Sequence, residues 1–283
     1  MYEKLSGFSD EIHPSVDVQF QVLRKLGINY FEPRGIDGKS ISELTDAEVS
    51  TLRDKMERNG IRVSSIGSPI GKVNLKEPFS EHFALFQRVV EIAKQLDAAY
   101  IRMFSFYHDG GDVWTPQERG EVLARLREMI GYAREKGVVL LHENEKGIYG
   151  DTADRCADLM EELGCNSFRA VFDPANFVQC RQDTEYAYRR LGKYIAYVHI
   201  KDACMEDGRV VPSGAGDGNV ESILKKLFAD GYDGFLSLEP HLGSFEGLAG
   251  LELGGKMLDL PEGGEGTFTL AYRALCEILD RVL

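Results

Sequence analysis

The chain has 283 residues, of which 43% are hydrophobic and 28% are charged, and its formal net charge is −13. This composition is typical of a soluble globular protein, and no apolar run approaches the roughly 20 residues that cross a bilayer, so we expect no membrane contact. The acidic balance disfavours a nucleic-acid partner, because basic residues bind a phosphate backbone.

The cysteines and the first residues predict a cytoplasmic protein. The five cysteines are odd in number and form no CxxC pair, which favours reduced thiols over a disulfide framework. The N-terminal stretch MYEKLSGFSDEI lacks a basic segment followed by an apolar one. It therefore predicts no secretory signal.

Short apolar segments alternate with amphipathic helices in the first half of the chain. The predicted strands are 5–9, 28–34, 61–66 and 98–104. Two of the helices between and after them begin with a capping box, formed by Thr45 with Glu48 and by Thr115 with Glu118. Glycines end the helices at Gly27, Gly60 and Gly137. This alternation indicates βα units and a parallel sheet.

The second half repeats the same pattern. Its predicted strands are 138–143, 169–173, 195–199 and 234–239, and its helices end near Gly164, Gly192 and Gly231. Eight units spaced by roughly 33 residues predict an α/β fold, a single-domain (β/α)8 TIM barrel over residues 1–283. The irregular segment at about 241–264 follows the last strand. We interpret it either as a lid or as a surface loop packed against the barrel or a neighbouring subunit.

Each of the last four predicted strands ends in a residue that can bind a metal ion. These residues are Glu143, Asp173, His199 and Glu239. A lone charged group at the end of a buried strand is costly to desolvate, and one metal ion satisfies all four. Strand alternation allows all of them to face the barrel interior at one height. Three carboxylates and one imidazole favour Mn²⁺, with Mg²⁺, Co²⁺ and Zn²⁺ left open.

Several motifs near these strand ends resemble one known family. They are HENEKG, FDPANF, VHIKDA, GRVVPSGAGDGNV and LSLEPH, in this order. Together they resemble the xylose-isomerase-like superfamily of sugar isomerases and epimerases, over most of the chain. The resemblance implies a TIM barrel, one divalent metal held by the four residues above, and a homo-oligomer, either a dimer or a tetramer. It also implies that Glu143 and Glu239 act as acid and base, and that Arg209 contacts substrate oxygens.

The chain departs from some relatives within this superfamily. Many ketose epimerases have Asp-x-x-His at the sixth strand, where this chain has Asp173 followed by Asn176, so an amide replaces a substrate-binding histidine. Metal-dependent apurinic endonucleases have Asp-x-His after the seventh strand, where this chain has Asp207, Gly208 and Arg209. The second metal site of authentic xylose isomerases is not evident.

The predicted activity is that of a metal-dependent isomerase or epimerase acting on a sugar, sugar phosphate or polyol through an enediolate. Further candidate substrate contacts are Asn176, Lys201, His108, His241 and Glu32. Arg34, Arg102 and Lys201 could bind an anionic group or pair with the surplus acids. Two alternatives stay open: a dehydratase that acts on a keto-polyol, and a non-catalytic protein that binds a sugar or serves as a partner subunit. Loss of water would distinguish the dehydratase from the isomerase.

Overall fold

The computed structural model describes residues 2–242 and 263–283. Eight short parallel strands in these ranges form the barrel wall. They are β1 Leu5–Gly7, β2 Tyr30–Phe31, β3 Arg62–Val63, β4 Tyr100–Met103, β5 Val139–Glu143, β6 Phe168–Phe172, β7 Ile195–Ile200 and β8 Phe235–Leu238. Six of them pair continuously in the order β1, β8, β7, β6, β5, β4, and β2 pairs with β3.

Backbone hydrogen bonds of residues next to β2 and β3 connect this pair to both edges of the larger sheet. On one side the Glu32 amide donates to the Gly7 carbonyl at 2.9 Å. On the other side the Ile66 amide donates to the Tyr100 carbonyl, and the Arg102 amide donates to Ile66, both at 2.9 Å. The strands therefore follow one another around a closed barrel, which confirms the predicted fold class.

Helices separate successive strands, as the alternating pattern predicted. They are α1 Val16–Lys25, α2 Asp46–Asn59, α3 Phe79–Gln95, α4 Pro116–Lys136, α5 Ala153–Leu163, α6 Pro174–Gln179, α7 Thr184–Leu191, α8 Val220–Ala229 and α9 Gly264–Val282. Both predicted capping boxes are present, at the starts of α2 and α4. Gly60 and Gly137 end these two helices with φ of 65° and 73°, in the left-handed region that glycine adopts easily.

Three elements differ from the sequence prediction. Strands β2 and β3 have two residues each, where longer strands were predicted at 28–34 and 61–66. Pro33 contributes to this difference in β2, because proline has no backbone N–H to donate to a ladder. The single helix predicted after β6 is two helices, α6 and α7, and separate aspartates, Asp173 and Asp183, cap their N-termini.

The barrel interior is apolar at its N-terminal end and polar towards its C-terminal end. Leu141, Val171 and Tyr197 form a small buried apolar cluster inside the barrel. Above it, the buried polar residues Ser6 and Ser64 contact each other through their hydroxyls at 2.6 Å. The polar end of the barrel is therefore the C-terminal one. TIM barrels carry their sites at this end.

The predicted lid segment at 241–264 falls mostly on residues 243–262, outside the part of the chain that the structure describes. None of the described helices is both long enough and apolar enough to cross a membrane.

Candidate metal centre

The four predicted ligands meet at the C-terminal end of the barrel. Glu143 is the last residue of β5, Asp173 follows β6, His199 lies near the end of β7 and Glu239 follows β8. Each offers one ligand atom, and these atoms all lie within 4.8 Å of one another. All four residues are buried, with exposures between 0% and 3%. The strand alternation that the sequence indicated therefore brings them to one point.

His199 lies at the centre of this cluster. Its Nδ1 is 3.1 Å from Glu143 Oε1, 3.5 Å from Glu239 Oε2 and 3.9 Å from Asp173 Oδ2. Burial alone would lower the pKa of the imidazole, but the nearby carboxylates of Glu143 and Glu32 raise it well above its usual value. The cluster thus presents one nitrogen to three carboxylates.

The three carboxylates differ in their proton affinity. Burial opposes ionisation of Glu143, yet His199 and Arg102 outweigh it and hold its pKa at about 2. Burial likewise opposes ionisation of Glu239, but Lys201 and His241 keep its pKa well below the usual range. At Asp173 burial dominates and raises the pKa to about 7. Glu143 and Glu239 are therefore ionised at neutral pH, and Asp173 holds its proton more tightly than either.

Three cationic side chains surround the carboxylates. Arg102 Nη1 lies 3.1 Å from Glu143 Oε2, and Arg34 Nη1 lies 3.2 Å from Glu239 Oε1. Lys201 Nζ lies 3.1 Å from Asp173 Oδ2 and 3.2 Å from Glu239 Oε2. The sequence left open whether these cations bind an anion or pair with acids, and the structure shows the acid pairs.

The donor set fits a divalent metal ion. One oxygen of Asp173, Oδ1, accepts a hydrogen bond from the backbone amide of Asn176 at 2.8 Å. This bond fixes the orientation of the carboxylate. The other oxygen, Oδ2, is buried and forms no hydrogen bond, although Lys201 is near. A buried carboxylate oxygen that is aimed at other ligands is suited to a metal. Three oxygens and one nitrogen fit Mn²⁺, Mg²⁺, Co²⁺ or Zn²⁺, and the residues do not select one of these ions.

Two asparagines hold the ligands in place. The side chain of Asn144 bonds both backbone groups of Asp173, accepting from its amide at 3.0 Å and donating to its carbonyl at 2.9 Å. Asn176 Nδ2 donates to Glu143 Oε1 at 3.2 Å and to the Asn144 carbonyl at 2.9 Å. The Asn176 side chain therefore contacts a ligand, while its Oδ1 is buried without a hydrogen bond. Asn144 was not predicted, and its position directly after Glu143 was the available signal.

Glu11 is a second residue that the sequence did not single out. His241, which was predicted, lies between it and the cluster: His241 Nε2 is 3.5 Å from Glu11 Oε1 and 3.5 Å from Glu239 Oε1. Burial raises the pKa of Glu11 to about 7, against the lowering effects of His241 and Arg34. Its place just after the first strand, equivalent to that of the ligands, was the only signal in the sequence.

Glu32 lies on the other side of His199, inside the barrel. It is 0% exposed, and its Oε2 is 3.4 Å from His199 Nε2. The sequence suggested Glu32 as a substrate contact. In this position Glu32 lies beyond the four cluster residues as seen from the C-terminal strand ends, where a substrate would enter. The substrate contact stays a prediction.

Two predicted contacts lie elsewhere. His108 stacks on Trp114 with a ring separation of 3.6 Å, and its Nδ1 is 3.0 Å from Glu118 Oε1 at the start of α4. Arg209 Nε lies 3.6 Å from Asp207 Oδ2 in the loop after β7. Among the residues at 2–242 and 263–283, neither side chain contacts the four ligands. Both contact partners that are close to them in the chain.

The sequence model of the xylose isomerase-like TIM barrel family matches residues 20–258. The chain belongs to this family. Among curated relatives, this family member is 22% identical to an inosose dehydratase of Clostridium perfringens in an alignment of 233 residues that covers 72% of this chain and 78% of the relative.

Solved structures share the fold of this xylose isomerase-like protein at low identity. The IOLI protein with a binding zinc atom has a TM-score of 0.78 at 17% identity and covers 99% of both chains. The probable 3-DHS dehydratase AsbF of Bacillus anthracis has a TM-score of 0.75 at 17% identity, over 96% of this chain and 98% of that one. A D-tagatose 3-epimerase-like protein has a TM-score of 0.71 at 18% identity, over 99% and 98%.

Proposed function

We propose that this protein is a divalent-metal-dependent dehydratase that removes water from a small hydroxylated ketone. The observation that carries the proposal is the buried cluster of Glu143, Asp173, His199 and Glu239, whose ligand atoms lie within 4.8 Å of one another. The dehydratases among the relatives support elimination over isomerisation, which was the first choice from the sequence. The proposal thus adopts the alternative that the sequence left open.

The proposed reaction needs a carbonyl, an acidic C–H beside it and a hydroxyl on the next carbon. A divalent ion at the four ligands supplies Lewis-acid polarisation of the carbonyl, which makes the neighbouring C–H more acidic. A carboxylate takes this proton, and the C–H electrons form a double bond as the hydroxyl leaves. The hydroxyl takes up a proton from an acid group and departs as water. The organic product is an enone.

Glu143 and Glu239 are the proposed bases, since both are ionised at neutral pH. The pKa of Glu143 is held at about 2 and that of Glu239 lies lower than usual, so both side chains are in the form that can accept a proton. Glu11 and Glu239 raise the pKa of His241, although burial opposes this, so His241 is the proposed proton donor to the leaving hydroxyl. Lys201 and Asn176, which contact the ligands, are proposed to orient the substrate oxygens.

An isomerase or epimerase is the second candidate, because its first step is the same. Glu143 and Glu239 reach the cluster from strands on different sides of His199, so that one could remove a proton and the other return it. The fold likeness to a D-tagatose 3-epimerase-like protein is consistent with this candidate. The two candidates differ in one outcome, which is net loss of water.

The test is incubation of the Mn²⁺-loaded protein in D₂O with inososes, 3-DHS and a panel of free and phosphorylated ketoses. Ultraviolet absorbance reports an enone, and NMR reports deuterium beside the carbonyl. We expect metal-dependent enone formation from at least one hydroxylated ketone. Deuterium exchange without water loss would favour the second candidate. Neither signal, with metal shown to be bound, would contradict both.

A further inference from the structure

A buried polar network lies directly beneath the metal ligands, inside the barrel. Its centre is Glu32, just after β2, which is 0% exposed. Glu32 Oε2 accepts hydrogen bonds from Tyr197 Oη at 2.9 Å and from Ser237 Oγ at 2.8 Å. Tyr197 Oη also lies 2.8 Å from Ser64 Oγ, which extends the network to a third strand. Hydroxyls from several strands thus fix the position of one carboxylate.

Such a carboxylate is costly in a barrel core unless charged or strongly polar groups compensate it. Hydroxyls supply two hydrogen bonds, but Glu32 Oε1 is buried and forms none. The nearest cationic or ring nitrogen in the contacts of Glu32 is His199 Nε2, at 3.4 Å from Oε2. The position of Glu32 is therefore best explained by its relation to His199.

The two ring nitrogens of His199 face opposite partners. Nδ1 faces the carboxylates, 3.1 Å from Glu143 and 3.5 Å from Glu239. Nε2 lies on the opposite side of the ring, 3.4 Å from Glu32 Oε2, and forms no hydrogen bond in this arrangement. Edge-on contacts with Phe8, at 5.2 Å between ring centres, and with Tyr197, at 5.7 Å, hold the ring in this orientation. The ring therefore cannot exchange its two nitrogens without displacing buried aromatic side chains.

A neutral imidazole has one N–H and one nitrogen lone pair, and a metal-binding nitrogen must present the lone pair. If Nδ1 binds the metal, the proton must be on Nε2, and Glu32 Oε2 is the carboxylate oxygen within reach of it, at 3.4 Å. Carboxylates that accept the second N–H of a metal-binding histidine fix its tautomer and orientation.

We propose that Glu32 is a positioning residue that keeps the proton of His199 on Nε2 and its Nδ1 available to the metal. This inference rests on the proposed metal function of the same site. It replaces the substrate contact that the sequence suggested for Glu32. Glu32 does not touch substrate in this account, and it acts only through His199.

The direct test is the tautomer of His199 in the full-length, Zn²⁺-loaded protein labelled with ¹⁵N-histidine. Two-bond ¹H–¹⁵N spectra distinguish the nitrogens, and the signals that disappear in a His199→Ala variant assign the ring. We expect Zn²⁺ on Nδ1 and a slowly exchanging proton on Nε2. Zn²⁺ on Nε2 would overturn the proposal, and this measurement needs no Glu32 variant.

A Glu32→Gln variant tests the contribution to affinity. We expect its dissociation constant for Zn²⁺, measured by competition with a chelator, to rise by about 10- to 100-fold, and the Nε2 proton to exchange faster. Tyr197→Phe is the matched control, because it removes one hydroxyl from the same carboxylate and leaves the carboxylate facing His199. We expect a clearly smaller change there.

The outcomes separate this inference from the proposed function. A wild-type protein that binds neither Zn²⁺ nor Mn²⁺ would overturn both. A wild-type protein that binds Zn²⁺ through Nδ1, with unchanged affinity and proton exchange in Glu32→Gln, would overturn only the role of Glu32. Equal losses in Glu32→Gln and Tyr197→Phe would show a structural role for the network rather than positioning of His199.

Discussion

Glu143 and Glu239 are the residues on which the proposed chemistry depends most. Each keeps a low pKa despite burial, because cationic side chains contact it. We expect Glu143→Gln and Glu239→Gln each to reduce kcat by about 10²- to 10⁴-fold, the usual contribution of a positioned acid or base. Glu121→Gln, which changes an exposed partner of Arg125, is the control. Full turnover in both variants, with metal and ligand still bound, would contradict the two-carboxylate mechanism.

His82 provides a pH-dependent prediction outside the metal centre. Its Nε2 accepts a hydrogen bond from the Gly71 amide at 2.9 Å, so the ring must be neutral there. Burial, aided by Arg125, lowers the pKa of His82 to about 4. Because the folded-state pKa is lower than the unfolded value near 6.5, the stability contribution is complete above about pH 6.5 and is lost as the pH falls towards 4.

The His82→Gln variant tests this assignment. Its amide oxygen can accept the same hydrogen bond but does not titrate. Urea unfolding at a series of pH values should give a flatter curve for the variant, with a difference of up to roughly 3 kcal/mol accumulating between pH 6.5 and 4. Parallel curves for variant and wild type would contradict the prediction.

The ligand residues could be predicted from the sequence, and several of their neighbours could not. Glu143 and His199 end apolar runs, and this pattern is visible without a structure. Glu11 was not singled out, and for Arg102 the sequence suggested an acidic partner without saying which. The partner of Arg102 lies far away in the chain, as its 3.1 Å contact with Glu143 shows. Sequence spacing does not determine such contacts. Arg209 is the opposite case. The resemblance implies that it contacts substrate oxygens, whereas in the structure it contacts Asp207 of its own loop.

At the level of elements, the Gly-rich loop after β7 depends on one aspartate. Asp202 accepts hydrogen bonds from the backbone amides of Gly214 at 2.8 Å, Gly216 at 3.1 Å and Gly218 at 2.8 Å. A side chain at Gly216 would place its Cβ 2.4 Å from Asp202 Oδ1, which explains the glycine there. The carboxylate thus holds the loop next to Lys201.

Asp202→Ala should release this loop. We expect the amides of the three glycines to lose protection in hydrogen exchange, because each loses its acceptor. Asp207→Ala in the same loop is the matched control, since its carboxylate contacts Arg209, through the backbone amide and the guanidinium, rather than the three glycine amides. Unchanged protection in Asp202→Ala would show that other contacts hold the loop.

The element boundaries show which local signals were sufficient. The capping box of Thr115 and Glu118 and the terminal Gly137 fixed both ends of α4 correctly. The ends of β2 and the division between α6 and α7 were predicted wrongly. Strand ends depend on hydrogen-bond partners in neighbouring strands, which the local sequence does not specify. Asp183 caps α7, but in the sequence it cannot be distinguished from other polar loop residues.

For the whole molecule, the proposed metal site would link metal binding to stability. The four ligands come from four different strands, so a metal bound only by the folded barrel should stabilise it as a unit. At a free Mn²⁺ concentration 100 times the dissociation constant, the expected gain is about 2.7 kcal/mol. Thermal unfolding should therefore shift upward by several degrees with Mn²⁺ and return with a chelator. No shift in His199→Ala is expected.

The most direct test of the account is metal stoichiometry after chelation and reloading with Mn²⁺, measured by elemental analysis of the purified protein. We predict one equivalent per chain for the wild type, a large loss in His199→Ala, and one equivalent in His82→Gln, which removes a histidine outside the cluster. A wild-type protein without bound metal, or a His199→Ala variant that keeps a full equivalent, would contradict the assignment of Glu143, Asp173, His199 and Glu239 as one metal centre.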